Sequence, residues 1–244
     1  MRVRRYEGVM TTDRVLGVDA CRAGWVGVVL DDGAGDTTRV EAYVATTIDA
    51  VVARASERGG LDAVAVDIPI GLPDAGRRRA DILARAEIGP LRSSVFMTPV
   101  RPALLAPDHA TAVRINRERA NEGISVQAFA LRVKLLQVDA WVRTARVPVV
   151  EAHPEVSFAR MHGGPLTSRK ATWAGGEVRR RLLAEQGVVL AGELGLSGLD
   201  AGPDDVLDAA AVAWTARRVA RGEAASLPDP PEVFENGWPA AIWV

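Results

Sequence analysis

The sequence predicts an α/β protein built on a mixed sheet. Three apolar, β-rich runs open the chain, and they are followed by a stretch with helical spacing and then by a further buried strand. This β-β-β-α-β order predicts an antiparallel meander and a return strand reached through one crossover helix. No internal repeat, low-complexity tract or linker is evident, so we expect a single domain over residues 15–244 behind an N-terminal tail of residues 1–14.

Each element of the first part has a local signal. The first two strands are separated by the short turn CRAG, as in a hairpin, and the third alternates apolar and polar residues. The helix starts after a Thr cap and ends before a Gly-Gly pair. The elements predicted here are strands over 15–20, 25–33 and 39–45, a helix over 46–58 and a strand within 63–73.

The second part of the chain is predicted to be mainly helical. A basic helical insertion is expected at about residues 74–146, before the fifth strand of the sheet. The apolar tail is a candidate edge strand. The predicted elements are helices over 76–87, 108–120 and 125–144, a strand over 148–152, helices over 175–186 and 203–220, and the tail strand 238–244.

Composition excludes several classes of protein. No apolar stretch reaches the length of a membrane span, and the basic N-terminus lacks the apolar core of a secretory signal. Cys21 is the single cysteine, which excludes an internal disulfide and a Cys-based zinc site. We therefore expect a cytoplasmic protein with no membrane partner.

The net charge of −1 hides an uneven distribution. Residues 77–181 contain 19 Lys and Arg against 9 Asp and Glu, and the rest of the chain is acidic. The basic stretch is either a set of solvated helix faces or a surface for a polyanion such as DNA or RNA. The near-zero net charge argues against tight, non-specific coating of duplex DNA.

Acidic residues recur where strands end or a helix begins. Asp19, Asp67 and Glu151 close three apolar runs, while Asp205 and Asp208 stand near the start of the last long helix. Carboxylates at the carboxyl ends of strands face the crevice where open α/β sheets bind ligands, and several together require a cation. We interpret them as the catalytic, divalent-metal site.

Structural roles compete with this interpretation. An Asp after a strand often caps a turn, and Asp204 and Asp205 suit the positive end of a helix. Asp208 precedes a small apolar run and should face the sheet, where an acid needs a partner. His153 lies two residues after Glu151 and is either a general acid or base or, as we favour, a supporting residue, as is Asp204.

The familiar nucleotide, protease and hydrolase motifs are missing, including GxxxxGK[ST], GxGxxG, HExxH and GxSxG. Cations in predicted loops are the candidates for binding phosphate. They are Arg22, Arg92, Arg169 and Lys170.

Six motifs in order resemble the family known as domain of unknown function 429. They are GVDACRAGWV, DIPIGLP, LRSSVF, GIS.Q, EAHPEVSF and DDVLDAAAVAWTA, and together they extend from about residue 15 to the C-terminus. Members of that family are described as predicted ribonuclease H-like nucleases. The resemblance therefore implies a ribonuclease H-like, five-stranded mixed sheet flanked by helices. It also implies that Asp19, Asp67, Asp205 and Asp208 bind metal.

The leading hypothesis is a Mg²⁺- or Mn²⁺-dependent nuclease. Two cations roughly 3.5–4 Å apart would sit either side of a phosphate, with Asp19 bridging them. Hard oxygen ligands favour these metals over zinc. The alternatives are a small-molecule phosphoryl-transfer enzyme or nucleotide binder of the related actin-like ATPase and sugar kinase fold, and a non-catalytic binding protein. A homodimer is compatible with each hypothesis.

Overall fold

The fold is described from a computed structural model that covers residues 13–33, 37–196, 201–235 and 237–244. Within these ranges the chain forms seven β-strands and nine α-helices. Residues 1–12 of the predicted N-terminal tail lie outside the described residues, and the first strand begins at Arg14.

The strands are β1 (Arg14–Cys21), β2 (Gly24–Asp31), β3 (Arg39–Ala45), β4 (Ala63–Val66), β5 (Val149–Ala152), β6 (Ser226–Val233) and β7 (Pro239–Trp243). The helices are α1 (Ile48–Ser56), α2 (Arg79–Glu87), α3 (Arg101–Leu104), α4 (His109–Ala120), α5 (Val126–Ala130), α6 (Arg132–Trp141), α7 (Pro154–His162), α8 (Trp173–Glu185) and α9 (Pro203–Arg221). A 3₁₀ helix covers Gly89–Ser94.

The strands form one mixed sheet in the order β3-β2-β1-β4-β5-β7-β6. As predicted, β1, β2 and β3 are an antiparallel meander, and β4 returns parallel to β1 after helix α1. The prediction of five strands is wrong, because β6 and β7 extend the sheet to seven. The C-terminal strand β7 is also not an edge strand, since it lies between β5 and β6.

The unpredicted strand β6 is rich in proline. Pro228, Pro230 and Pro231 lie within its eight residues. Proline has no N–H to donate to a ladder, so it is tolerated at the edge of a sheet rather than in its interior. The position of β6 at the end of the sheet accommodates these prolines.

Helix α9 packs directly on strand β1, and Gly17 makes this close approach possible. A Cβ atom on Gly17 would lie 2.1 Å from the backbone nitrogen of Ala213 and 2.2 Å from the carbonyl oxygen of Ala209. The alanines of α9 are buried against the sheet at the same place. Backbone contact, rather than a layer of large side chains, therefore sets the distance between helix and sheet.

Apolar cores cover both faces of the sheet. One core contains α9 with α7 and α8, and the other contains α1 and α6 with the fully buried Trp25 and Leu16. The predicted helix over 125–144 is divided at Leu131 into α5 and α6. In the described part of the chain, no helix combines the length and apolar character needed to cross a membrane.

Candidate metal centre

Three acidic side chains converge at one end of the sheet. One carboxylate oxygen from each of Asp19, Asp67 and Asp208 lies within 4.8 Å of the other two. Strands β1 and β4 are parallel, and Val18 lies opposite Val66. Asp19 follows Val18 and Asp67 follows Val66, so both acids lie at the same end of the sheet. Asp208 reaches the other two from helix α9.

Burial makes this cluster electrostatically demanding. Asp19 and Asp208 are buried, with 7% and 2% of their surface exposed, and Asp67 is half-buried. Burial, followed by repulsion from neighbouring acids, raises the pKa of Asp19 and Asp67 well above the ordinary value. Burial also raises the pKa of Asp208 to about 6, although a nearby Lys acts in the opposite direction.

That cation is Lys170, from the segment before helix α8. Its ammonium group donates a hydrogen bond to Oδ2 of Asp208. Partial burial lowers the pKa of Lys170, but Asp208 and then Asp19 and Asp67 outweigh this effect, so the net direction is upward. The lysine is therefore charged at neutral pH. The sequence placed Lys170 among phosphate-binding candidates and gave no sign of its pairing with Asp208.

The second oxygen of Asp208, Oδ1, is buried and has no hydrogen-bond partner. A buried carboxylate oxygen without a donor destabilises the fold, because it has lost its hydrogen bonds to water and has formed none within the protein. Converging oxygen atoms of this kind match the ligands that hard divalent cations prefer. The donor set is therefore suited to a hard divalent cation.

A cavity of about 260 Å³ opens beside Asp19 and Asp67. The other predicted functional residues that line it are Glu151, His153, Lys170 and Asp205. Phe96, Leu131 and Ile242 contribute apolar wall. The cavity thus combines acidic groups with one lysine in a partly apolar enclosure.

Glu151 lies deeper and is bound by other partners. Its Oε2 accepts hydrogen bonds from the backbone N–H of Ile70, at 2.7 Å, and from the fully buried guanidinium of Arg78. Burial raises the pKa of Glu151 to about 7 against the opposing effect of Arg78. These contacts tie strand β5 to the segment after Asp67, so they support the position of that acid. A catalytic role for Glu151 stays a prediction.

His153 caps helix α7. Its Nδ1 accepts the backbone N–H of Glu155 at 3.2 Å, and its Nε2 faces the carbonyl oxygen of Ser94 at 3.4 Å. Burial lowers the pKa of His153 to about 4, so the imidazole is neutral at pH 7. These contacts hold the imidazole at the start of helix α7, and a supporting role for His153 in the site stays a prediction.

Asp205 caps helix α9 instead of joining the three acids. Its Oδ2 accepts the backbone N–H of Gly202 at 3.0 Å, while its side chain borders the cavity. Asp204, next to it, lines a second cavity, which is described below. Metal binding by Asp205 and a supporting role for Asp204 stay predictions.

The remaining phosphate-binding candidates are on the surface. Arg22, Arg92 and Arg169 are exposed, and none of them forms an ion pair within the described ranges. Among these four cations, only Lys170 borders the 260 Å³ cavity. Phosphate binding by the other three stays a prediction.

Two buried arginines near the site could not be recognised from the sequence. Arg78 and Arg179 are both fully buried, and they pair with Glu151 and Glu155 respectively. In an Arg-rich sequence nothing marks these two as different from solvated arginines. Their acidic partners are distant in the chain, so only the fold reveals the pairs.

A second and larger cavity, of about 770 Å³, adjoins the first through Lys170. Its walls include helix α8, the segment 190–196 and the start of α9. Trp173 stands at this cavity with 84% of its surface exposed. An exposed aromatic ring beside a cation is a suitable surface for a planar ligand.

Comparison with known families is informative over most of the chain. The model described as "Protein of unknown function (DUF429)" matches residues 17–233. The chain belongs to this family. The match confirms the family resemblance seen in the sequence motifs, and it includes all three converging acids and Lys170. Neither the curated proteins nor the solved structures gave a match to this DUF429 protein.

Proposed function

We propose that this DUF429 protein is a divalent-metal-dependent phosphodiesterase that cleaves nucleic acid. Asp19, Asp67 and Asp208 hold Mg²⁺ or Mn²⁺. The observation that carries the proposal is the convergence of three acid oxygens within 4.8 Å, together with the buried, unpartnered Oδ1 of Asp208. Converging buried acids are unfavourable without a cation, and a ligand site explains why they are present.

The arrangement suits phosphoryl chemistry. A bound divalent cation polarises a phosphoryl oxygen and lowers the pKa of a bound water. The residues of the chain hold that cation, and Lys170 places a fixed positive charge beside it. The partly apolar cavity lowers the local dielectric, which strengthens these interactions with a phosphate. At about 260 Å³ the cavity accommodates a phosphate and its nearest substituents, so the rest of a polymer lies on the outer surface.

The sheet supports a ribonuclease H-like relationship. It begins with the β-β-β-α-β order, with one acid near the end of the first strand, one directly after the fourth strand and a third on a late helix. This is the combination from which the sequence predicted a ribonuclease H-like nuclease. The two additional strands, β6 and β7, lie beyond β5 and leave that arrangement intact.

The charge distribution supports a nucleic acid as the substrate. The cation surplus of residues 77–181 includes the exposed Arg92 and Arg169. Arg169 is the chain neighbour of Lys170, so a cation is available where a polymer would leave the site. Phosphate contacts of this kind position a strand without reading its sequence.

The test is cleavage of single-stranded DNA, duplex DNA, RNA and junction substrates with Mg²⁺, Mn²⁺ or excess EDTA. We expect cleavage that needs the metal and is lost in Asp67→Asn, which keeps the shape of the side chain and removes its charge. Asp49→Asn is the matched control, because Asp49 is an exposed acid on helix α1. Metal-independent cleavage, or full activity in Asp67→Asn, would refute the proposal.

One observation favours a second candidate, a small-molecule phosphoryl-transfer enzyme. The 770 Å³ cavity next to Lys170 is within the size range of pockets for small ligands, whereas the cavity at the acids is slightly below it. Hydrolysis of nucleoside triphosphates, without cleavage of any polymer, would favour this candidate. Binding of nucleic acid without either reaction would favour a non-catalytic binding protein.

A further inference from the structure

We propose that the acidic site holds a single divalent cation, and that the ammonium group of Lys170 takes the place of a second one. This inference rests on the proposed metal-binding function and departs from the two-cation arrangement expected from the sequence. Three observations lead to it: the spread of the acid oxygens, the fixed position of Lys170 and the balance of charge.

The oxygen atoms are spaced for one ion. Mg²⁺ binds oxygen at roughly 2.0–2.1 Å, so two of its ligands are separated by at most about 4.2 Å. The three acid oxygens lie within 4.8 Å of one another, which small side-chain rotations convert into the ligand shell of one cation. The other oxygen of Asp208, Oδ2, is already bound to Lys170.

Lys170 is held in place by its surroundings. The carbonyl oxygen of Arg169 accepts hydrogen bonds from the backbone N–H and the hydroxyl of Thr172, at 3.0 and 2.8 Å. Gly175 packs so closely that a Cβ atom there would lie 1.9 Å from the same carbonyl oxygen. The turn that carries Lys170 is therefore fixed to the start of helix α8.

The buried Arg179 also fixes the segment that carries Lys170. Arg179 donates to the carbonyl oxygens of Ser168 and Gly175, at 3.1 and 2.9 Å, and to both carboxylate oxygens of Glu155 at 2.7 Å. Arg179 is fully buried and Glu155 is 5% exposed. The backbone on both sides of Lys170 is thus anchored in the core, and its ammonium group is directed at Asp208 as part of the fold.

The charges balance with one cation. Asp19, Asp67 and Asp208 together supply three negative charges, which one divalent ion and the Lys170 ammonium neutralise. A second divalent ion beside Lys170 would leave an excess of two positive charges in a mostly buried site, which is unfavourable. Asp205 also borders the cavity, but it is half-exposed, so solvent screens its charge. Of the described residues that line this cavity, Lys170 is the only Lys or Arg.

The experiment counts bound Mn²⁺ on the full chain, by calorimetric titration and by electron paramagnetic resonance. We expect one Mn²⁺ per wild-type chain with no spin-coupled pair. Lys170→Ala removes the ammonium group that takes the place of a second ion. In this variant we therefore expect two bound Mn²⁺ ions and the resonance spectrum of a spin-coupled pair. Arg169→Ala is the matched control, since Arg169 is an exposed neighbouring cation, and it should keep one Mn²⁺.

The number of bound Mn²⁺ ions tests the single-cation inference separately from the proposed function. Two ions in the wild type would overturn the single-cation inference. One ion in a folded Lys170→Ala variant would overturn the assignment of Lys170 as the substitute for a second cation. Either result would leave the metal-dependent function standing. No bound Mn²⁺ in the wild type would overturn both. Lys170→Gln, which keeps much of the side-chain length, replaces the Ala variant if circular dichroism shows that the latter is unfolded.

Discussion

At the scale of single residues, the protein keeps charge where burial disfavours it. Asp19 and Asp208 are almost fully buried, and the opposing charge among the described residues nearby is that of Lys170. Glu151 and Glu155, by contrast, are each matched by their own buried arginine. The negative charge of the three converging acids is therefore only partly balanced by the protein. Binding of a cation there should raise the stability of the folded protein.

Replacement of one acid should separate stability from metal binding. We expect Asp19→Asn to raise the melting temperature of the metal-free protein, because one buried, repelled charge is gone. The same change should abolish the stabilisation by Mn²⁺, which is about 2.7 kcal/mol in the wild type at a hundredfold excess over Kd. Thermal melts with and without Mn²⁺ measure both effects. An unchanged Mn²⁺-dependent shift in Asp19→Asn would contradict the site.

The raised pKa values also predict a dependence on pH. A carboxyl group whose pKa rises on folding stabilises the folded state below its unfolded pKa, and this contribution is lost as pH rises through the folded pKa. For Asp208 that window ends at about pH 6. The metal-free protein should therefore lose stability between about pH 4 and 6.

Metal affinity should follow the opposite trend. Metal ligands must be deprotonated, so Mn²⁺ affinity should rise with pH, by about tenfold per pH unit for each proton released on binding. Asp208 contributes to this slope below about pH 6. Calorimetric titrations from pH 5 to 8 measure this slope. Affinity that is constant across the range would mean that the acids do not bind the ion.

At the scale of elements, helix α9 and strand β1 form the unit on which the site depends. Asp208 is carried by the helix and Asp19 by the strand, and Gly17 allows the two backbones to touch. Any displacement of the helix from the sheet moves one acid away from the other two.

We expect Gly17→Ala to destabilise the protein by about 3 kcal/mol or more, since its Cβ would overlap backbone atoms that cannot move aside. Urea denaturation measures the loss, and weaker Mn²⁺ binding should accompany it. Gly123→Ala is the control, because a Cβ there meets nothing within 4 Å, and its effect should stay within about 0.5 kcal/mol. Equal stability of the two variants would contradict the role of Gly17.

Elements with a strong local signal were predictable from the sequence, and others were not. The meander, α1 and β4 follow from periodicity, and they brought Asp19 and Asp67 together. Strand β6 was missed because its prolines argue against a strand, and only its edge position makes them acceptable. The contact of Lys170 with Asp208 spans 38 positions in the sequence, so no local pattern announces it.

At the scale of the whole molecule, an acidic crevice lies in a chain whose middle part carries the cations. Many of these cations are used in ion pairs, such as Arg77 with Glu122 and Arg101 with Asp139. Arg92 and Arg169 are exposed and take part in no ion pair of the described segments. They are the candidates for contact with a polymer.

Binding of nucleic acid should therefore weaken steeply with salt. For duplex DNA, the logarithm of the association constant falls linearly with the logarithm of the salt concentration. Each phosphate contact contributes about −0.9 to the slope of this line. We expect Arg92→Ala combined with Arg169→Ala to reduce that slope by roughly two units, to a similar extent for different sequences. Fluorescence anisotropy at several salt concentrations measures it. Arg39→Ala, an exposed cation on β3 outside the basic stretch, should leave the slope unchanged.

The two ends of the sheet have a consequence for how the protein behaves at high concentration. On one side, the prolines of β6 interrupt the row of N–H groups that a foreign strand would need. On the other side, the N–H of Ala42 in β3 is already taken by the carbonyl oxygen of Leu194, at 3.2 Å. An exposed sheet edge is a template for aggregation, and both edges here are blunted. The folded protein should thus resist fibril formation and edge-to-edge aggregation at high concentration.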